Sequence, residues 1–205
     1  MDMMKNHGAA VNKEIKKSLK VLDMPYQTYD NKIDAYKNAK ILLNHCKPDL
    51  LKIEISENKL VVLKHLVDKK VNVISHIGVT PQSYKNFYKI KVLGKTNKEK
   101  QNLLMLAKES EMLGAKAVLL ECVTANTAKL ITENISIPTI GIGASRYCDG
   151  QVLVFDDLIN LSTNDKKPKF VKNYFNFNKI ASNVVKKYNR EVKLKKFPST
   201  KFTYN

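Results

Sequence analysis

The chain has 205 residues, 43% of them hydrophobic, which suffices for one domain with a full core. No apolar run is long enough to span a membrane, and residues 1–20 are polar and lysine-rich, without the apolar segment of a secretory leader. The net charge of +17 is almost entirely lysine, Arg146 and Arg190 being the only arginines. Base reading and phosphate forks favour arginine, so lysines scattered among asparagines argue against a nucleic-acid partner. Cys46, Cys122 and Cys148 show no C-x-x-C spacing and cannot all pair, which fits a reducing cytoplasm.

Taken in order, residues 2–17 read as a short helix with weak periodicity. Ser18–Leu22 reads as a strand ending at Asp23, stopped by Met24-Pro25. Asp30 is placed to cap a helix reaching about Cys46, with Ile33, Tyr36, Ala39 and Leu43 at helical spacing. Leu50–Ile55 is the next strand. Asn58 opens a helix with Leu60, Val61, Leu63, Leu66 and Val67 on one side. The apolar segment Val71–Ser75 then runs into His76 and a Gly78/Pro81 loop. Tyr84–Asn97 reads as a long loop, a type that is often functional. A helix over 98–113 closes at Gly114. Ala115–Leu120 is a strand ending on Glu121, and 125–134 is a helix. Pro138–Gly143 is a strand with a glycine-bearing turn, and Gln151–Phe155 is a last strand ending on Asp156-Asp157. From Pro168 the pattern predicts a helix carrying Phe170, Tyr174 and Phe177, followed by a basic tail.

Six apolar, mostly non-alternating strands separated by helices predict an α/β fold with parallel strands. Pattern alone leaves a doubly wound sheet and a barrel open. The polar residues at strand ends favour the barrel, which gathers such ends around one mouth. A closed barrel of this kind needs eight strands, so about six of eight strand–helix units are expected, within 1–167. Residues 168–205 form a C-terminal helix and basic tail expected to pack on the barrel or on a neighbouring subunit.

The strand ends deliver Asp23, Glu54, His76 and Glu121. Two oxygen ligands completed by substrate and water suit Mg²⁺, whereas Asp23 alone also fits a plain turn residue. Lys52 and Glu54, two apart on a strand, share a face. The pair suits an anion held beside a metal, and equally a surface ion pair. Glu121 ends an apolar strand, where partial desolvation makes a carboxylate a stronger base; capping the following helix is its alternative role. His76 suits anion binding, carbonyl polarisation or proton transfer, and equally a buried core histidine. Gly141-x-Gly143 is too short for a dinucleotide fingerprint.

These stretches together resemble one family. Leu51–Glu54, His76–Ser83, Leu119–Val123, Ile137–Ala144, Cys148–Val154 and Pro168–Tyr174 resemble, in order, the motifs of ketopantoate hydroxymethyltransferase (3-methyl-2-oxobutanoate hydroxymethyltransferase), covering about residues 18–175. The resemblance implies a (β/α)₈ barrel of the phosphoenolpyruvate-mutase type, a homodecamer, Mg²⁺ and 5,10-methylenetetrahydrofolate as one-carbon donor. It implies that Asp23 and Glu54 serve the metal, that Asp23 and Lys52 contact the 2-oxoacid, and that Glu121 is the general base. His76 becomes an active-site histidine. It further implies a chain lacking the family's first two strands and an Asp-Ser pair. Ile55-Ser56, Tyr88-Lys89, Leu93 and Phe155 depart from the family's pattern. An inactive barrel acting as an interaction subunit is the alternative expectation.

Overall fold

The structure, a computed structural model, describes residues 1–83, 91–161 and 167–204. It divides into two compact units, Met1–Val152 and Leu153–Asn205. In chain order the first unit contains α1 (Asp2–Glu14), β1 (Val21–Asp23), α2 (Lys32–Cys46), β2 (Leu50–Glu54), α3 (Leu60–Asp68), β3 (Val73–Gly78), α4 (Asn97–Met112), β4 (Ala117–Glu121), α5 (Ala125–Asn134), β5 (Thr139–Ile142) and β6 (Gly150–Gln151).

All six strands are parallel, and their spatial order is their sequence order. A doubly wound sheet reverses direction at a switch point, so strict sequential order settles the choice for a part-barrel. The six strands form a curled half-barrel.

Alternation in the strands sorts the two faces. Leu51, Ile53, Val73, Ile77, Val118 and Leu120 point outward into a core completed by Ala35, Ala39 and Leu42 of α2, Val62, Leu63 and Leu66 of α3, Leu103 and Leu106 of α4, and Ile131 of α5. The intervening residues Ile74, Ala117 and Leu119, with Leu50, Ile140 and Ile142, form a smaller apolar cluster on the opposite, inner face.

Local chemistry sets the helix ends. Asn31, one residue past the expected Asp30, caps α2: its side chain accepts from the backbone N–H of Ile33 and Asp34 at 3.0 and 2.9 Å. The buried stripe of α2 is Ala35, Ala39, Leu42 and Cys46, and Ile33 stands 78% exposed. Thr96 and Glu99 form a reciprocal capping box on α4. α5 has no side-chain cap; the Thr124 hydroxyl donates to the carbonyl of Gly94 at 2.8 Å.

Three expected elements differ. β3 runs two residues beyond His76, because Ile77 and Gly78 continue the ladder against Leu120 and Glu121. The last strand ends at Gln151 rather than Phe155; Phe155–Leu158 is instead a short helix, α6, whose first turn carries Asp156 and Asp157, where helix N-termini favour negative charge. The helix expected from Pro168 begins only at Phe177, where the Asn176 side chain accepts from the N–H of Lys179 at 3.2 Å. This α7 (Phe177–Lys193) carries Phe177, Ile180, Val184 and Tyr188 at helical spacing, all exposed. Most of the Tyr84–Asn97 loop, residues 84–90, lies outside the described residues. No described helix is long and apolar enough to cross a membrane.

Candidate active site

Register decides which side chains meet. Asp23 is paired with Lys52, Glu54 with His76, and Gly78 with Glu121. Register partners share a face, as do residues two apart on one strand. Asp23, Lys52, Glu54, His76 and Glu121 therefore all occupy the inner face, on successive strands β1 to β4. The inner apolar cluster of Ile74, Ala117 and Leu119 lies one step below them along the strands.

The five residues fall into two contacts and a bridge between them. Lys52 Nζ lies 2.8 Å from Asp23 Oδ2. His76 Nε2 lies 3.2 Å from Glu121 Oε2, with the imidazole almost wholly buried. That approach is within ion-pair distance but outside hydrogen-bond alignment, so Nε2 is a buried nitrogen with no hydrogen-bond partner among the described residues. Buried polar atoms are rarely left so, and this one faces the Glu121 carboxylate. Glu54, 7% exposed, bridges the two contacts by its position opposite His76 and two residues beyond Lys52.

Glu54 is held from two loops. The N–H of Gln82, in the turn Pro81–Ser83 after β3, donates to Glu54 Oε1 at 2.9 Å. The side chain of Gln82 reaches the β1–α2 loop, its Nε2 donating to the carbonyl of Met24 at 3.3 Å and its Oε1 accepting from the Tyr29 hydroxyl at 3.1 Å. Tyr29 Oη in turn accepts from the N–H of Glu54 at 3.3 Å. Burial, reinforced by the negative charges of Glu54, Asp23 and Asp30, pushes the Tyr29 phenol up to about 12 despite the opposing bond from Glu54 N–H, so it keeps its proton and can donate. Tyr29 and Gln82 are absent from the sequence-derived site. Gln82 lies inside the His76–Ser83 stretch, so its position after a strand end was a readable signal. Nothing in the spacing pointed to Tyr29.

The strand ends are fixed by close backbone approach. Gly78 has φ +97, and a side chain there would press on the carbonyl oxygen of Glu121 and approach Val123 Cγ2 to 2.8 Å. The N–H of Val79 donates to that same carbonyl at 2.8 Å. Cys122 follows with φ +50, a left-handed conformation that costs a residue with a side chain roughly 1–2 kcal/mol. Burial, with the charge of Glu121 adding, pushes its thiol up to about 11. All three cysteines are buried thiols.

Asp23 and Glu54 are the only predicted metal ligands, and no cluster of three or more His, Cys, Asp or Glu side chains set for a metal occurs among the described residues. A hard cation that retains water needs only one or two carboxylates with substrate oxygens. The pair therefore fits Mg²⁺ in a substrate-completed site, not in an all-protein cage.

A part-barrel of parallel strands with carboxylates, a lysine and a histidine on its inner face defines an enzyme-type (β/α) barrel protein. The comparisons with known proteins are specific. The family profile for ketopantoate hydroxymethyltransferase matches residues 1–200. The chain is 43% identical to a 3-methyl-2-oxobutanoate hydroxymethyltransferase of Pelagibacter ubique, over all of this chain and 77% of that protein. It is 40% identical to the enzyme of the same name from Clostridium botulinum, over all of this chain and 74% of that protein. The chain belongs to the ketopantoate hydroxymethyltransferase family. A solved structure of an uncharacterized conserved protein from Geobacillus kaustophilus superposes with a TM-score of 0.50 at 14% identity, covering 78% of this chain and 77% of that one, and supports the fold alone.

Proposed function

We propose that this chain transfers a hydroxymethyl group from 5,10-methylenetetrahydrofolate to 3-methyl-2-oxobutanoate, giving 2-dehydropantoate. The observation that carries the reading is the close approach of Glu121 to the buried His76 Nε2, on the same face as Lys52 and both remaining carboxylates.

Lys52 supplies the positive charge for the oxoacid carboxylate, at the cost of loosening its ion pair with Asp23. Asp23 and Glu54 would hold Mg²⁺, which when bound polarises the ketone and acidifies the neighbouring C–H. Glu121 removes the C3 proton; in support, its carboxylate shares the inner face with Lys52. His76 faces that carboxylate through Nε2, which makes no hydrogen bond there and so serves as a site for the proton or a substrate oxygen. The carbanion at C3 forms a bond to the methylene carbon of the folate. Both C–N bonds of that methylene break, water supplies the hydroxyl, and tetrahydrofolate leaves.

The test is deuterium exchange at C3 of 3-methyl-2-oxobutanoate in D₂O with Mg²⁺ and no folate, comparing the chain with Glu121→Gln. Exchange that requires both Mg²⁺ and Glu121 supports the reading; the variant should lose at least about 100-fold, the contribution of a positioned base. A folded protein that gives no exchange above background overturns it.

A further inference from the structure

We infer that Gln82 is a positioning residue that sets the spacing between Asp23 and Glu54, with Tyr29 holding Gln82 in place. The inference rests on the reading above, in which those two carboxylates work together.

Four hydrogen bonds carry it. The backbone of Gln82 holds Glu54 Oε1 at 2.9 Å, and its side-chain amide holds the carbonyl of Met24, the residue after Asp23, at 3.3 Å. One residue thus grips both the Glu54 carboxylate and the backbone beside Asp23. The bond from Tyr29 Oη to Gln82 Oε1 and the bond from Glu54 N–H to Tyr29 Oη complete a ring that starts and ends on Glu54. The Gln82 amide uses its oxygen within that ring, toward Tyr29, and its nitrogen outside it, toward Met24, so both ends are engaged and a flip would break both bonds. The N–H of Met24 also donates to the carbonyl of Lys52 at 2.9 Å, which anchors the gripped backbone to β2.

A metal ligand is oriented by the groups that bond to it, and removing such a partner weakens binding by about 10–100-fold. The ring contributes no charge, so its effect is on geometry: without it Glu54 keeps its bond to the Gln82 backbone but loses its fixed distance from Asp23. Lys59 adds to the support, its Nζ donating to the carbonyl of Tyr29 at 3.1 Å and to Asp30 at 2.7 Å.

The test uses the full chain and Mn²⁺ as a paramagnetic probe, titrated in the presence of 3-methyl-2-oxobutanoate and read by electron paramagnetic resonance. Tyr29→Phe removes one hydroxyl, and Gln82→Met keeps the length of the side chain while removing both polar atoms. Both variants should bind Mn²⁺ about tenfold more weakly and show a broadened bound signal, while Thr96→Ala, which removes the cap of α4 and shares no hydrogen bond with the ring, should lower thermal stability without changing the signal. If the wild type binds and both variants bind equally well with the same spectrum, the inference is overturned and the functional reading stands. If the wild type itself fails to bind with the oxoacid present, the functional reading is overturned and the inference falls with it.

Discussion

Gly78 shows how little room the site leaves. Its backbone lies against the carbonyl of Glu121, and its φ of +97 suits glycine alone. Gly78→Ala should therefore cost about 2–4 kcal/mol of stability, from strain and the clash together. It should also lower C3 exchange by about 100-fold, because displacing β4 by a fraction of an ångström moves Glu121 off its substrate. Thermal denaturation and the exchange assay read the two effects separately. Asp23, Glu54, His76 and Glu121 were legible in the sequence because each is a polar residue after an apolar run, and Lys52 because it stands two residues before Glu54 on one strand. Tyr29 was not: it lies in a loop, and its meaning comes only from Gln82, which lies 53 positions away.

At the scale of elements, the six strands and the helices from α2 to α5 were readable, since apolar runs and helical spacing are local signals. Which side of α2 faces inward was not. Its sequence carries two stripes that share Ala39, one of Ile33, Tyr36, Ala39 and Leu43 and one of Ala35, Ala39, Leu42 and Cys46, and the second is the buried one, its two alanines permitting close approach. The short β6 was overread for a related reason. Val152, Val154 and Phe155 look like a strand, yet the ladder ends where Gln151 pairs with Gly141, and they stand exposed. The end of α2 offers a direct test. Lys47 holds φ +49 as its C-terminal cap, exposed and directly before Pro48. Lys47→Gly should raise stability by about 0.5–1 kcal/mol in urea denaturation, since glycine enters the left-handed region without strain.

The whole molecule should be sensitive to alkali. The Cys122 thiol is pushed to about 11 and the Tyr29 phenol to about 12, from ordinary values of 9.0 and 10.0. In both, the fold favours the neutral form. Their stabilisation is fully present below the ordinary values and is lost as pH rises through the shifted ones. Between about pH 9 and 11 the native state holds a proton that the unfolded chain has released, and stability falls with a slope of about 1.4 kcal/mol per pH unit for one such group. The melting temperature should therefore drop across this window. In Cys122→Ala the decline from the thiol disappears, and the remaining decline begins about one unit later.

The ring through Glu54 also has a kinetic consequence. Its bonds join positions 25, 28 and 53 residues apart, and the bond from Gln82 to Met24 spans 58, so no local segment can close it. It forms only once β1, β2 and β3 have docked in register, after the loop-closure entropy of both crossovers between them has been met. Competence to bind the metal probe should thus arise late in refolding, after far-UV signals of helix have recovered. A refolding mixture observed midway would hold molecules with most of their secondary structure and no assembled site.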